Sequence, residues 1–169
     1  INPQQKLVVF SESKETTNYI TNCLKNHGRT DILEVNASNR NALREKIKVN
    51  FDANIPREQY QSEYNIIVCT EVLAEGVNLH RSNIIVNYDT PWNSTRLMQR
   101  IGRVNRIGSV APNIHIFNFY PTAKVNSDIE LEKKAIMKLQ AFHSALGEDS
   151  EIFSPDEEIQ SFSLFEKDT

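Results

Sequence analysis

Five short apolar runs limit what this chain can become more than any other feature. "KLVVF" (6–10), "DILEV" (31–35), "NIIVCT" (65–70), "NIIVNY" (83–88) and "IHIFNFY" (114–120) are rich in β-branched and aromatic residues. Successive side chains of a strand point to opposite faces, so a near-continuous apolar strand needs cover on both. The runs therefore suit a mostly parallel sheet held between two layers of helix. The segments between them supply those helices. "SKETTNYITNCLKNHG" sets Tyr19, Ile20, Cys23 and Leu24 on one helical face and ends near Gly28, which can adopt a left-handed cap. "NRNALREKIKVNF" repeats the pattern with Leu43, Ile47 and Phe51, and the polar "DANIPREQYQSEY" makes a loop. Further helices are expected over 94 to about 106 and from about Ser127 to Leu146, the latter carrying Ile129, Ile136, Leu139 and Phe142. Alternating strands and helices imply a three-layer α/β sandwich.

Size and charge divide the chain. Its 169 residues, 39% hydrophobic and 24% charged, fit one globular domain. The net charge of −3 hides an asymmetry: from Glu148 to Thr169 there are eight acidic residues and one lysine, which leaves 18 basic against 14 acidic residues in the rest. A mildly basic domain over 1–147 is expected, followed over 148–169 by an acidic, weakly ordered tail or the start of a following segment. No apolar run approaches the roughly 18 residues that span a bilayer, and the N-terminus lacks a basic-then-apolar leader pattern. The expected location is cytoplasmic, nucleoid association included, with no membrane partner. Cys23 and Cys69 sit in apolar settings and read as free thiols, and the four histidines show no ligand spacing, so no metal site is expected. The chain opens on Ile1 instead of Met, which suggests a piece of something longer.

The chemistry collects in two strings. In a parallel α/β sheet the ligand crevice lies beyond the carboxyl ends of the strands, which selects Ser11, Asn36, Thr70 and Asp89 with their loops. "QRIGRVNRIG" (99–108) places arginines at 100, 103 and 106, with Arg96 just upstream. At 100° per residue, Leu97, Ile101 and Val104 fall within about 60° of one another, while Gln99, Arg100, Arg103 and Arg106 take the other face with Arg96. Gly102 costs roughly 1 kcal/mol in a helix interior, which suggests that something approaches closely there. Guanidinium offers permanent charge and paired donors suited to phosphate, although a solvated basic face would show the same periodicity. The second string, "TEVLAEGVNLHRSN" (70–83), ends a strand on Thr70 and continues to Gly76 and Asn78, a pattern that can aim amides and a hydroxyl at phosphate. With Gln99 21 positions after Asn78, both loops are expected to reach one sheet edge.

Together these residues resemble the C-terminal RecA-like lobe of superfamily 2 helicases and translocases. "QRIGRVNR" is similar to the arginine-finger motif of that superfamily, and "TEVLAEGVNL" to the motif that couples nucleotide to nucleic acid. "RIG", the "NL" after glycine, "YDTPWN" and Arg44 seven residues before Phe51 resemble the SWI/SNF-like group, its bacterial members above all. Ser109 and Ala37 stand where that group often has glutamine and glycine, while Glu71 follows the wider superfamily. The likeness covers roughly residues 5 to 120. It implies a RecA-like, P-loop NTPase-like fold in which Arg103 and Arg106 reach ATP held by an N-terminal lobe, with Arg106 foremost. It further implies that Gln99, Gly76 and Asn78 face the nucleotide, and that Thr70, Ser11, Ser13 and Ser38 touch a nucleic-acid backbone without reading its sequence.

Hydrolysis also needs a phosphate-cradling loop, a lysine and a magnesium-binding acid. No glycine of the five is followed by lysine, which excludes a Walker A loop. A "DEEI" string at 156–159 follows "FSP" in the acidic stretch instead of an apolar strand. The expectation is half of a motor: ATP and Mg²⁺ are held mainly by the absent lobe, DNA is the first expected partner, and the fragment alone is inactive. An RNA helicase lobe and a non-catalytic module that binds nucleic acid or a partner are the alternatives.

Overall fold

In the computed structural model, residues 5–70, 77–91, 94–105 and 109–120 are described. They form β1 (Leu7–Ser11), α1 (Lys14–Asn26), β2 (Ile32–Val35), α2 (Arg40–Phe51), β3 (Ile66–Thr70), β4 (Ile84–Asn87), α3 (Ser94–Val104) and β5 (His115–Asn118), with one 3-10 turn at Arg57–Gln59 in the polar loop. The five strands make one parallel sheet in the order β2-β3-β1-β4-β5. The expected helix after Ser127, the acidic stretch with "DEEI", and Trp92 lie outside the described residues.

Strand alternation sorts the core into two layers. Val8, Phe10, Leu33, Val35, Ile67, Cys69 and Ile85 face α2 and α3, which contribute Ile47 and Phe51, and Leu97, Ile101 and Val104. Val9, Ile32, Ile66 and Val68 face α1 through Ile20. Burial pushes the Cys69 thiol well above its ordinary range, so it stays neutral in the core. Both cysteines are free.

Two expectations are refined. Ser13 caps α1, its hydroxyl accepting from Thr16 N, and Gly28 follows the helix at φ +83° as the left-handed cap required. Tyr19, however, is 62% exposed, because α1 rests on β1, β2 and β3 through Thr17, Ile20 and Thr21. Cover of both faces is also incomplete among the described residues: Phe117 on β5 is exposed, as are Tyr88 and Phe119, whose rings lie 5.8 Å apart.

At the entrance to β1, Lys6 is buried, with Nζ donating to Tyr64 O at 2.6 Å and Asn65 Oδ1 at 3.2 Å, 5.0 Å above the Phe51 ring. Burial first, and the Arg81 charge second, hold its pKa down to about 8 from 10.5, against an opposing pull from Asp31. The unfolded chain keeps this proton to the higher value, so unfolding free energy should rise with pH between the two, by up to about 1.4 kcal/mol per pH unit. Urea unfolding at several pH values across that window should show a smaller slope for Lys6→Met; equal slopes would contradict the assignment.

Candidate functional site

All strands run the same way, so Ser11, Asn36, Thr70 and Asp89 emerge at one edge, and Ser11 and Thr70 end their strands in register. Asn36 Oδ1 accepts from Ser38 N at 3.0 Å and Ser38 Oγ at 2.6 Å, while Asn39 Oδ1 accepts from Asn36 N at 2.8 Å, a closed turn leading into α2. Ser13 sits half-buried at the start of α1. Thr70 is 7% exposed, and its hydroxyl has no hydrogen-bond partner among the described residues. Ser11 is buried, donates to Asp89 Oδ2 at 2.6 Å and accepts from Ser13 N at 3.3 Å, so its hydroxyl is tied into the loop that starts α1.

Behind this edge lies a group that sequence phasing left on the polar face of the arginine helix. Arg100 is 1% exposed. Its Nη1 donates to Asn87 Oδ1 at 3.0 Å and to Asp89 O at 3.0 Å, Nη2 lies 3.6 Å from Asp89 Oδ1, and the guanidinium stands 5.4 Å from the Phe10 ring centre. Asn87 passes the network to β5 by donating to Asn118 Oδ1 at 2.7 Å. The helical phase contained a hint, since Arg100 falls only about 40° from Val104 and so borders the apolar face. Asn87, at the carboxyl end of an otherwise apolar strand, was the second signal.

The remaining arginines spread along α3. Arg96, at its exposed start, lies 3.3 Å from Glu12 Oε1. Gln99 is exposed and Arg103 half-buried in the last turn. The Arg103 carbonyl accepts from Leu79 N at 2.9 Å, which seats Asn78 beside the end of the arginine helix. Asn78 Nδ2 donates to Asp52 Oδ2 at 3.4 Å, where α2 ends, and Asp52 Oδ1 lies 3.7 Å from Nε2 of the buried His80. Gly76 and Arg106 lie outside the described residues. The two strings thus meet, but not at the carboxyl edge. The first turn of α3 meets Glu12 through Arg96 and its last turn meets Leu79, so the Asn78 segment joins the end of α3 away from the Glu12 loop. Among the described residues no group of three or more His, Cys, Asp or Glu could hold a metal, and no helix is long and apolar enough to cross a membrane.

Comparison with known proteins identifies the family and the fold. The helicase conserved C-terminal domain matches residues 1–108. The chain is 27% identical over 149 residues to the Bacillus subtilis protein "Uncharacterized ATP-dependent helicase YqhH", covering 88% of this chain and 24% of that protein. It is 33% identical over 92 residues to Arabidopsis thaliana "DEAD-box ATP-dependent RNA helicase 10", covering 54% of this chain and 19% of the relative. The chain therefore spans about a quarter or less of the length of these curated relatives. In fold it is similar to the C-terminal part of the Fun30 ATPase domain (TM-score 0.59, 15% identity, 84% of this chain and 49% of that one). It is also similar to S. cerevisiae Dbp5 bound to RNA and ADP BeF3 (TM-score 0.54, 20% identity, 85% and 33%).

The buried arginine makes a stability prediction. Arg100→Met strands Asn87 Oδ1 and the Asp89 carbonyl, and should cost about 2–4 kcal/mol. Asn87→Leu alone should also destabilise. With both changes, the loss measured by urea unfolding should fall short of the sum by about 1 kcal/mol, since each single change orphans a group that the double change removes. Strict additivity would contradict the bond.

Proposed function

The chain belongs to the helicase conserved C-terminal domain family, and from that premise we propose that it is the second motor lobe of an ATP-dependent helicase or translocase. It works against an N-terminal RecA-like lobe of the same polypeptide, which holds most of the ATP and the Mg²⁺. The observation that carries the proposal is the Leu79 N to Arg103 O bond, which unites the Asn78 segment with the arginine helix. The donors there, guanidinium and carboxamide, fit the phosphates and ribose of a nucleotide, and no acidic cluster among the described residues competes for the metal. Gly102 supports the same reading: an added Cβ would meet no described atom within 4 Å, so internal packing does not explain the glycine.

In this account Arg103 and Arg106 supply positive charge around the γ-phosphoryl oxygens and the β–γ bridging oxygen, which takes the electron pair as the bond to the γ-phosphorus breaks; this is electrostatic stabilisation set in place beforehand. Gln99 and Asn78, with Gly76, line the nucleotide side. Thr70, Ser13 and Ser38, with Ser11 holding the loop, form the nucleic-acid side, where contacts to phosphates position the strand. Segment 70–78 joins the two sides, so opening or closing at the nucleotide is felt at the strand.

DNA is the first proposed substrate, on the SWI/SNF-like strings "RIG" and "YDTPWN". RNA is the second, favoured by relatives named as RNA helicases. Stimulation of ATP hydrolysis by duplex DNA against RNA, measured on the full-length protein, separates them. In that protein Arg106→Ala should cut stimulated turnover by roughly 10³-fold. Turnover within a few-fold of the parent would sink the assignment, and a full-length gene without an upstream Walker A loop would favour a binding module.

A further inference from the structure

We propose that Asp89 is a positioning residue that ties the Ser11–Ser13 loop to the arginine helix, so that the strand side and the nucleotide side of the lobe move as one piece. The inference rests on the motor-lobe reading and adds the strut that connects its two ends.

Asp89 follows β4 and touches both neighbours. Its Oδ1 and Oδ2 both accept from Glu12 N, at 3.0 and 2.9 Å, and Oδ2 also accepts from Ser11 Oγ. On its other side, the Asp89 carbonyl accepts from Arg100 Nη1 and Oδ1 faces Nη2 at 3.6 Å. Arg100 is buried in the middle of α3, and the same helix carries Arg103 one turn further on, bonded to Leu79. A continuous path therefore runs from the loop that starts α1, through one carboxylate and one buried guanidinium, to the segment bearing Asn78. The parallel tie between Arg96 and Glu12 is exposed on both sides, and such pairs contribute little.

The chemistry demands a carboxylate. Every group aimed at the Asp89 side chain is a donor: a backbone N–H, a hydroxyl and a guanidinium. A carboxylate accepts on both oxygens, whereas an amide of the same shape turns an NH₂ toward one of those donors. Asp89→Asn thus keeps the volume and the carbonyl bond to Arg100 but weakens the side-chain half of the strut, at Ser11, Glu12 and Nη2.

The test uses the full-length protein and measures ATP hydrolysis against the concentration of poly(dT) and of poly(U), and separately against ATP. In Asp89→Asn the strand concentration giving half-maximal stimulation should rise about tenfold, the effect of losing one charge-assisted bond, while the KM for ATP moves less than about twofold. Ser11→Ala, which removes one of the donors, should shift the same quantity in the same direction by less. Should Asp89→Asn fail to fold, Ser11→Ala decides alone. An unchanged strand requirement, or strand requirement and ATP KM rising together as they would from general damage, overturns the positioning role. Arg106→Ala, run beside them, keeps the two claims apart: full stimulated turnover in that variant overturns the motor-lobe reading itself, whereas its collapse alongside a parent-like Asp89→Asn overturns only the strut.

Discussion

A guanidinium with 1% of its surface exposed needs partners within the fold, because Arg100 cannot shed its proton and an unmatched buried charge is severely penalised. Its partners come from separate segments: Asn87 at the end of β4, Asp89 in the loop beyond, and the Phe10 ring on β1. Satisfying one side chain therefore fixes α3 against the centre of the sheet, where the apolar core gives way to the polar edge. The same condition explains why Asn87 is polar in a strand whose neighbours are Ile84, Ile85 and Val86.

From that anchor the two working ends follow. Toward the carboxyl edge, Asp89 holds Ser11 and Glu12, and so orients the loop whose Ser13 caps α1, next to the buried Thr70 hydroxyl. Away from the edge, α3 carries Arg103 to Leu79 and Asn78, beside the end of α2 at Asp52. In the proposed account one end serves a strand and the other a nucleotide, with a stiff connection between them. An α-helix packed through Leu97, Ile101 and Val104 supplies that stiffness.

Much of the fold was legible in the residues, since near-continuous apolar runs and helical stripes depend on local chain geometry. Leu43, Ile47 and Phe51 predict α2, Gly28 marks the end of α1, and Leu97, Ile101 and Val104 mark the buried side of α3. Strand order was not legible, because pairing β1 between β3 and β4 is a tertiary choice. Helical phasing leaves Arg100 on the polar face because a helical wheel knows nothing of Asn87, Asp89 and Phe10, which meet only after the sheet forms. Tyr19 shares a face with Ile20 in the periodicity, yet α1 turns Thr17, Ile20 and Thr21 to the sheet and leaves Tyr19 exposed. The same blindness put the Asn78 segment at the strand ends, when its contact is with the end of α3 away from the Glu12 loop.

The central claim is that the arginines of this lobe complete a nucleotide site begun by another. It is tested most directly by a structure of the full-length protein with ADP–BeF₃ and a nucleic-acid strand. The account predicts a guanidinium of Arg103 or Arg106 within about 3 Å of the fluoride that mimics the γ-phosphate, the separation of a charge-assisted hydrogen bond. Both guanidiniums directed at the strand or at solvent, with the nucleotide phosphates enclosed by other groups, would contradict it.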